Sequence, residues 1–453
     1  MNRAPAYPAR QPSGYRRGTR VSVTEVHQKR ALDVGTIEPV LELFPDTAEI
    51  DGGELKVGGA RASELAGEFG TPLVVYCRAT LVARARTYTR VVGDGTVVYA
   101  AKAFPNVALL RLFANEGLGA DVSTLGELAF ALRAGVRPDR IVLHGNNKSD
   151  EELRAAAEAG AMVAVDSLDE ANRVGELGAA RVLVRVTPGI EAQTHQSIQT
   201  AHSESKFGLT PDDALKVIAM LRDTGVEVAG LHLHVGSQLA RADESLLAVD
   251  RLVDVARRAR DELQWTPAIV DLGGGLGVRH SREERLPDPA QFAGALIARF
   301  RDAWGEPVHV ILEPGRSLVG PAGFTLYRVG VVKPRAGLSY VNVDGGMSDN
   351  PRPQLYGARY EALLANRADA APAAAYRIAG KHCESGDVLI DSVELPQPRR
   401  GDLLAVPATG AYTLGMASNY NGVPRPAAVL VRDGYARLIR RRETIDDLLG
   451  FET

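Results

Sequence analysis

The residues with the most chemistry to offer stand where apolar runs end. In VVYAAKAFPN (97–106), a run that reads as a buried strand carries Lys102 near its end. A buried ammonium group is costly unless it is paired or gives up its proton. Most lysines in such places snorkel, burying the stem and keeping the charge in water. One kept partly neutral by desolvation is instead a nucleophile toward aldehydes, the chemistry that attaches pyridoxal phosphate.

That cofactor needs a phosphate cradle and an acidic partner for its ring nitrogen. LGGGLG (272–277) offers Gly273, Gly274 and Gly275, whose backbone N–H groups can approach phosphate oxygens, although a tight turn explains the same residues. Val278 stands where a dinucleotide fingerprint wants its last glycine. Glu313, in ILEPGRS, is the candidate partner for the ring nitrogen. It could equally cap a helix or pair with Arg316. In HLHVGS (232–237) the two histidines lie two apart on a strand and share a face, which suits a metal centre. A barrel metallohydrolase is therefore the rival from another chemical class. The alternative is that His234 packs on the cofactor ring and Ser237 reaches its phosphate. Cys383, in KHCESGD, has His382, Glu384 and Asp387 as neighbours, so it reads as an exposed thiol able to exchange protons, whereas Cys77 in PLVVYC reads as buried packing. GAYTLGMASNYNGVPRP (410–426) is too rich in Gly, Asn and Pro for a strand and offers Tyr412.

Composition narrows the partners. The chain has 453 residues, too many for one core of usual size, with a net charge of −3 that gives no electrostatic reason to expect nucleic acid or an anionic membrane. A small-molecule partner is the better expectation. Two cysteines without a Cys-x-x-Cys spacing suit reduced thiols in the cytoplasm. No apolar run reaches the roughly 18 residues of a membrane span. Residues 1–36 mix Pro, Gly, Ser and Arg without periodicity and read as a disordered basic extension.

The elements that must position these groups alternate from residue 97 onward. Strand candidates are VVYAAK (97–102), GADVS (119–123), RIVLHG (140–145), MVAVDS (162–167), RVLVRV (181–186), GLHLHVGS (230–237), AIVDLGGG (268–275) and HVILEPGR (309–316). Helical patterns opening with Ser, Thr or Asp lie between them. Eight such units predict an α/β fold, a TIM barrel over 78–321, with its chemistry at the strands' C-terminal ends. A doubly wound sheet is the competing architecture. After residue 322 short strands separated by Gly and Pro predict an all-β domain, which 37–77 could join to make discontinuous.

Taken together the segments YAAKAFPN, GADVSTLGEL, HGNNKS, HLHVGSQ, DLGGGLG, EPGRSLVGPAG, DGGMSDNPRPQLYGARY, HCESGD and GAYTLGMASNYNGVPRPA resemble the barrel-type pyridoxal-phosphate decarboxylases, and among them the diaminopimelate decarboxylase family. The motifs run in that family's order from about residue 60 to the C-terminus. The resemblance implies that Lys102 attaches the cofactor, His234 stacks on its ring, Glu313 faces the ring nitrogen, and Ser237 with Gly273, Gly274 and Gly275 holds the phosphate. Pro314, Gly315 and Arg316 would join that site and Tyr412 would close it. It further implies that Arg316, Arg352 and Tyr356 bind the substrate's distal carboxylate, Glu384 its distal ammonium, and that Cys383 is the acid. In such a family the cysteine serves the neighbouring subunit of a homodimer. Guanidinium forks suit carboxylate and would repel a plain distal amine, so the arginines favour a substrate with a second carboxylate.

The implied activity is decarboxylation of meso-2,6-diaminopimelate to L-lysine and carbon dioxide. Ranked behind it are a paralogue acting on another dicarboxylic or acyl-linked amino acid, a racemase, and an inactive regulatory homologue. Departures from the family pattern are Ala101, where valine is frequent, and Phe104, where asparagine is frequent. The polar segment 191–208 looks like the family's lid, and the roles of His195 and His202 in it are open.

Overall fold

The computed structural model describes residues 38–179, 181–189 and 205–453. The basic extension expected over 1–36 lies outside them, as does most of the expected lid with His195 and His202. Strands β1 (Glu49–Asp51), β2 (Glu54–Val57) and β3 (Ala60–Arg61) form a small sheet, and β4 (Leu73–Cys77) follows. Eight strands then alternate with helices: β5 (Thr96–Ala100), β6 (Gly119–Val122), β7 (Ile141–Leu143), β8 (Met162–Val165), β9 (Arg181–Arg185), β10 (Glu227–His232), β11 (Ile269–Asp271) and β12 (His309–Leu312). They pair in parallel and close, β12 returning to β5 through Leu312 opposite Val97. These are the eight runs expected from the sequence, and the fold is the expected barrel.

The local causes are ordinary ones. Side chains of Thr124, Ser149, Ser167, Thr210 and Asp288 accept backbone N–H groups at helix starts, and Pro211 and Pro289 open their helices where no donor is needed. Alternation along the strands sends Val98, Val142, Met162, Ala164, Leu183, Ala229, Ile269 and Ile311 into the barrel's interior, while Tyr99, Leu143, Val165, Leu231 and Leu312 pack outward against helices. No helix among the described residues is long and apolar enough to cross a membrane.

The second sheet contains β13 (Gly323–Lys333), β14 (Ser339–Val343), β15 (Leu363–Leu364), β16 (Ala374–Ala379), β17 (Val388–Leu395), β18 (Leu403–Val406), β19 (Ala427–Arg432) and β20 (Tyr435–Arg440). Strand β4 runs antiparallel to β13 and parallel to β19, so a strand from before the barrel completes a sheet made after it. This wrapping has a functional consequence. β13 starts just after the turn that follows β12, and loops of the second sheet are thereby held over the barrel's C-terminal face. One is anchored there by the Tyr412 N–H donating to the Ala103 carbonyl at 2.8 Å.

Candidate active site

A cavity of about 470 Å³ opens at the C-terminal ends of the barrel strands. Of the residues singled out in the sequence, Lys102, His234, Ser237, Gly275, Glu313, Gly315, Arg316, Arg352, Tyr356 and Tyr412 line it. Gly273, Gly274 and Pro314 belong to the same two turns but not to the lining. Cys383 and Glu384 are exposed on the loop between β16 and β17, outside this cavity.

Lys102 sits in a single 3-10 turn after β5, with Nζ 2.8 Å from Asp121 Oδ2 at the end of β6. The desolvation expected to neutralise this lysine is the largest single influence on it, but it is outweighed. Asp121, Tyr412 and Glu313 raise its affinity for a proton, and the net shift is upward. The reason is non-local: barrel closure sets a carboxylate beside an ammonium that still keeps 40% of its side chain exposed to the cavity.

Glu313 leaves β12 into a nest of imidazoles. His232 Nε2 donates to its Oε2 at 3.2 Å, and His234 Nδ1 lies 3.8 Å from the same oxygen. His144 Nε2 is 2.7 Å from Oε1 but off the direction of a hydrogen bond, so Oε1 is buried without a donor among the described residues. Burial alone would push the Glu313 carboxyl up, yet His144 and His232 hold it well below the usual carboxylate range. Burial pushes His232 down to about 4 and drives His234 well below its ordinary value, so both rings are neutral. Burial, reinforced by the charge of Glu313, raises Asp271 well above the usual range. His144, His232, Asp271 and Glu313 place ligand-type atoms within 4.8 Å of one another. Of the pair read as a candidate metal centre, His232 belongs to this group and donates to Glu313, and His234 lies 3.8 Å from the same oxygen.

The glycine turn after β11 is built by close approach. A Cβ on Gly274 would lie 2.2 Å from the Glu313 carbonyl oxygen, and one on Gly275, at φ +109°, would lie 2.6 Å from that of Gly236. Ser237 Oγ receives Arg316 Nη2 at 2.9 Å beside this turn. The Arg316 guanidinium lies 4.4 Å over the Tyr412 ring, and Arg352, carried from the second sheet on the helix Arg352–Tyr356, donates its Nε–H to the Tyr360 hydroxyl at 3.0 Å. Both arginines are buried, at 5% and 3% exposure. Nε and Nη1 of Arg316 and Nη1 of Arg352 have no hydrogen-bond partner among the described residues. Burial, with the neighbouring Arg352 charge, lowers Arg316 to about 10.

Sequence reasoning did not assign Asp121, His144 or Arg185 to the site, although each stands at a strand end. Arg185 lines the cavity and pairs with Asp166 at 3.2 Å, and its guanidinium packs 4.5 Å from the Phe207 ring centre. Position at the barrel's C-terminal face was the available signal.

Residues 78–320, more than half of the chain, match the family model of the pyridoxal-dependent decarboxylase, pyridoxal binding domain. The chain belongs to the pyridoxal-dependent decarboxylases. It is 44% identical to a diaminopimelate decarboxylase of Actinosynnema pretiosum subsp. auranticum, over 92% of this chain and 97% of that one. It is 41% identical to a diaminopimelate decarboxylase of Bacillus subtilis, over 88% and 95%. The crystal structure of diaminopimelate decarboxylase from M. jannaschii in complex with L-lysine superposes with a TM-score of 0.84 at 34% identity, covering 90% of this chain and 98% of that one.

The donors present fit the family's cofactor. Lys102 supplies an amine in the cavity, the unpartnered Glu313 Oε1 an acceptor for a ring N–H, and the glycine turn with Ser237 a place where backbone can reach a phosphate. One consequence can be measured. Asp121→Asn removes a group that raises the Lys102 pKa, so the apo-protein should take up pyridoxal phosphate, followed by its visible absorbance, at a lower pH than wild type. An uptake profile unmoved along the pH axis would contradict the role given to Asp121.

Proposed function

We propose that the protein decarboxylates meso-2,6-diaminopimelate to L-lysine and carbon dioxide, with pyridoxal 5′-phosphate as cofactor. The observation that carries this reading is the pair of buried guanidiniums, Arg316 and Arg352, in the same cavity as Lys102 and, among the described residues, without a carboxylate hydrogen-bonded or ion-paired to them. A substrate that presents a second carboxylate at its unreactive end satisfies them, and a plain amine does not.

Lys102 is the attachment amine, Ser237 and the glycines at 273–275 hold the phosphate with Gly315, and Glu313 accepts from the ring nitrogen. Arg316 continues that wall, with Pro314 in the same turn but outside the lining, His234 would pack on the ring, and Tyr412 would close the site. When bound, the cofactor's conjugated ring supplies the electron sink that a departing carboxylate requires. The protein's own work is orientation: Arg316, Arg352 and Tyr356 fix the distal carboxylate, so that the carboxylate at the reacting carbon is the one that leaves. The carbon–carbon bond breaks, and a proton then takes the carboxylate's place on that carbon.

Cys383 is the proposed donor of that proton and Glu384 the proposed partner of the distal ammonium, both acting in the site of a second copy of the chain. Support comes from their position. Both are exposed and absent from their own chain's cavity, and the loop is firmly held, with Asp387 accepting from the N–H groups of Met347 and His382 at 2.7 and 2.9 Å. The His382 ring packs 5.5 Å from that of Tyr420, which, like Leu355, is a large exposed apolar residue of the kind a subunit interface covers. The free thiols of Cys77 and Cys383 favour a cytoplasmic site of action.

Carbon dioxide release from a panel of amino acids tests the substrate. Diaminopimelate should be turned over far faster than lysine, ornithine or arginine, and Arg352→Ala should raise its KM about ten- to hundredfold, since a hydrogen bond to a charged group contributes roughly 1.5–3 kcal/mol. Preferred turnover of a plain diamino monoacid, or equal losses on all substrates in the variant, would sink the reading.

The shared site has its own test. Inactive Lys102→Ala and inactive Cys383→Ala proteins are mixed, dissociated and reassociated. In a two-fold dimer with shared sites, a mixed pair carries both lesions in one site and leaves the other whole, so activity should return to about a quarter of wild type. No recovery, once subunit exchange is shown by differential tagging, contradicts the shared site.

A further inference from the structure

A carboxylate that must face a ring nitrogen needs something to fix its direction as well as its charge. Glu313 has two oxygens in different surroundings. Oε2 receives the Nε2–H of His232 at 3.2 Å, while Oε1 has no donor aligned with it among the described residues. His232 is buried at 1% exposure at the last position of β10, and its Nδ1 is buried without a partner among the described residues. The imidazole therefore makes one side-chain hydrogen bond, and because an ionised carboxylate can only accept, the ring proton is on Nε2. β10 pairs with β11 in register, His232 opposite Asp271, which fixes the backbone from which the ring projects.

We propose that His232 is a positioning residue for cofactor binding: it holds Glu313 Oε2 by one hydrogen bond and so leaves Oε1 free for the cofactor's ring nitrogen. The inference rests on the reading of Glu313 as that nitrogen's partner, and goes beyond it by assigning the carboxylate's orientation to a residue that does not line the cavity. His144 does not substitute for it, because it lies against Oε1, at 2.7 Å, and not against Oε2. The other charged and titratable groups around Glu313 come from every neighbouring strand. They are Lys102 after β5, Asp121 at β6, Arg185 at β9, His234 after β10 and Asp271 at β11. Of these, Asp121 opposes a negative charge on Glu313 and the cations favour it, while Asp271, raised well above the usual range beside Glu313, keeps its proton and adds no second negative charge. Losing the His232 donor shifts that balance toward a protonated Glu313.

The test measures binding of pyridoxal phosphate to apo-protein between about pH 6 and 9, with no substrate present, for wild type, His232→Phe and His232→Gln. Phenylalanine keeps a ring and removes the donor, whereas glutamine keeps a donor. His232→Phe should raise the Kd about tenfold or more at neutral pH, the usual scale for a hydrogen bond to a charged group. Its Kd should also worsen toward acid pH over a range in which wild type is flat. His232→Gln should recover most of both. Thermal unfolding of the apo-proteins runs alongside. If His232→Phe binds with wild-type affinity and a flat pH profile, or if both variants weaken equally, His232 is packing and the proposal falls. Because cofactor binding is read without substrate, a protein that behaves as stated but releases no carbon dioxide from diaminopimelate would overturn the substrate assignment alone.

Discussion

Two buried positive charges with no carboxylate partner among the described residues organise this site. Charged groups leave water only when they are paired, neutralised or waiting for a ligand. Three other inward-facing cations here are paired. Lys148 donates to Glu170 and to two backbone carbonyls, at 2.6 to 2.8 Å, and Arg185 meets Asp166 at 3.2 Å. Lys102 meets Asp121. Arg316 and Arg352 are the exception: among the described residues their side-chain hydrogen bonds go to neutral hydroxyls, Ser237 for one and Tyr360 for the other. Their guanidiniums lean on the rings of Tyr412 and Tyr356, which offset part of the cost without quenching the charge. An anion of the right shape is what completes them.

That constraint explains the architecture as well as the ligand. Arg316 comes from the barrel and Arg352 from the second sheet, so the two guanidiniums meet only where the two parts of the chain meet. Strand β4, threaded between β13 and β19, ties the start of the barrel to that sheet. Tyr412 adopts the left-handed conformation at φ +57° while its N–H is held by Ala103, beside the lysine. A non-glycine residue in that region costs on the order of 1 kcal/mol, and here it sets the phenol ring under the Arg316 guanidinium.

Much of this was legible in the sequence because it is local. Buried parallel strands are short β-branched runs, helix starts carry capping side chains, and a barrel's chemistry must fall at strand ends, so Lys102, the glycine turn and Glu313 could be found one by one. What was not legible depends on closure. The protonation of Lys102 turns on Asp121, which local burial arguments ignore, and they gave the opposite sign. His144 and His232 converge on Glu313 from strands distant in sequence, and HLHVGS by itself also suggested a rival metal centre. The exposed Cys383 was legible as a thiol among polar neighbours, but its place relative to the cavity was not, since that depends on where the loop between β16 and β17 lands.

The central claim is that the cavity is selected by uncompensated positive charge, so the most direct measurement separates charge from chemistry. Calorimetric binding to the cofactor-loaded protein should compare heptanedioate, which has two carboxylates and no amine, with 1,5-diaminopentane, which has two amines and no carboxylate. The dicarboxylate should bind the more tightly, and the preference should disappear in Arg352→Ala. Tighter binding of the diamine, or a dicarboxylate affinity indifferent to Arg352, would contradict the account.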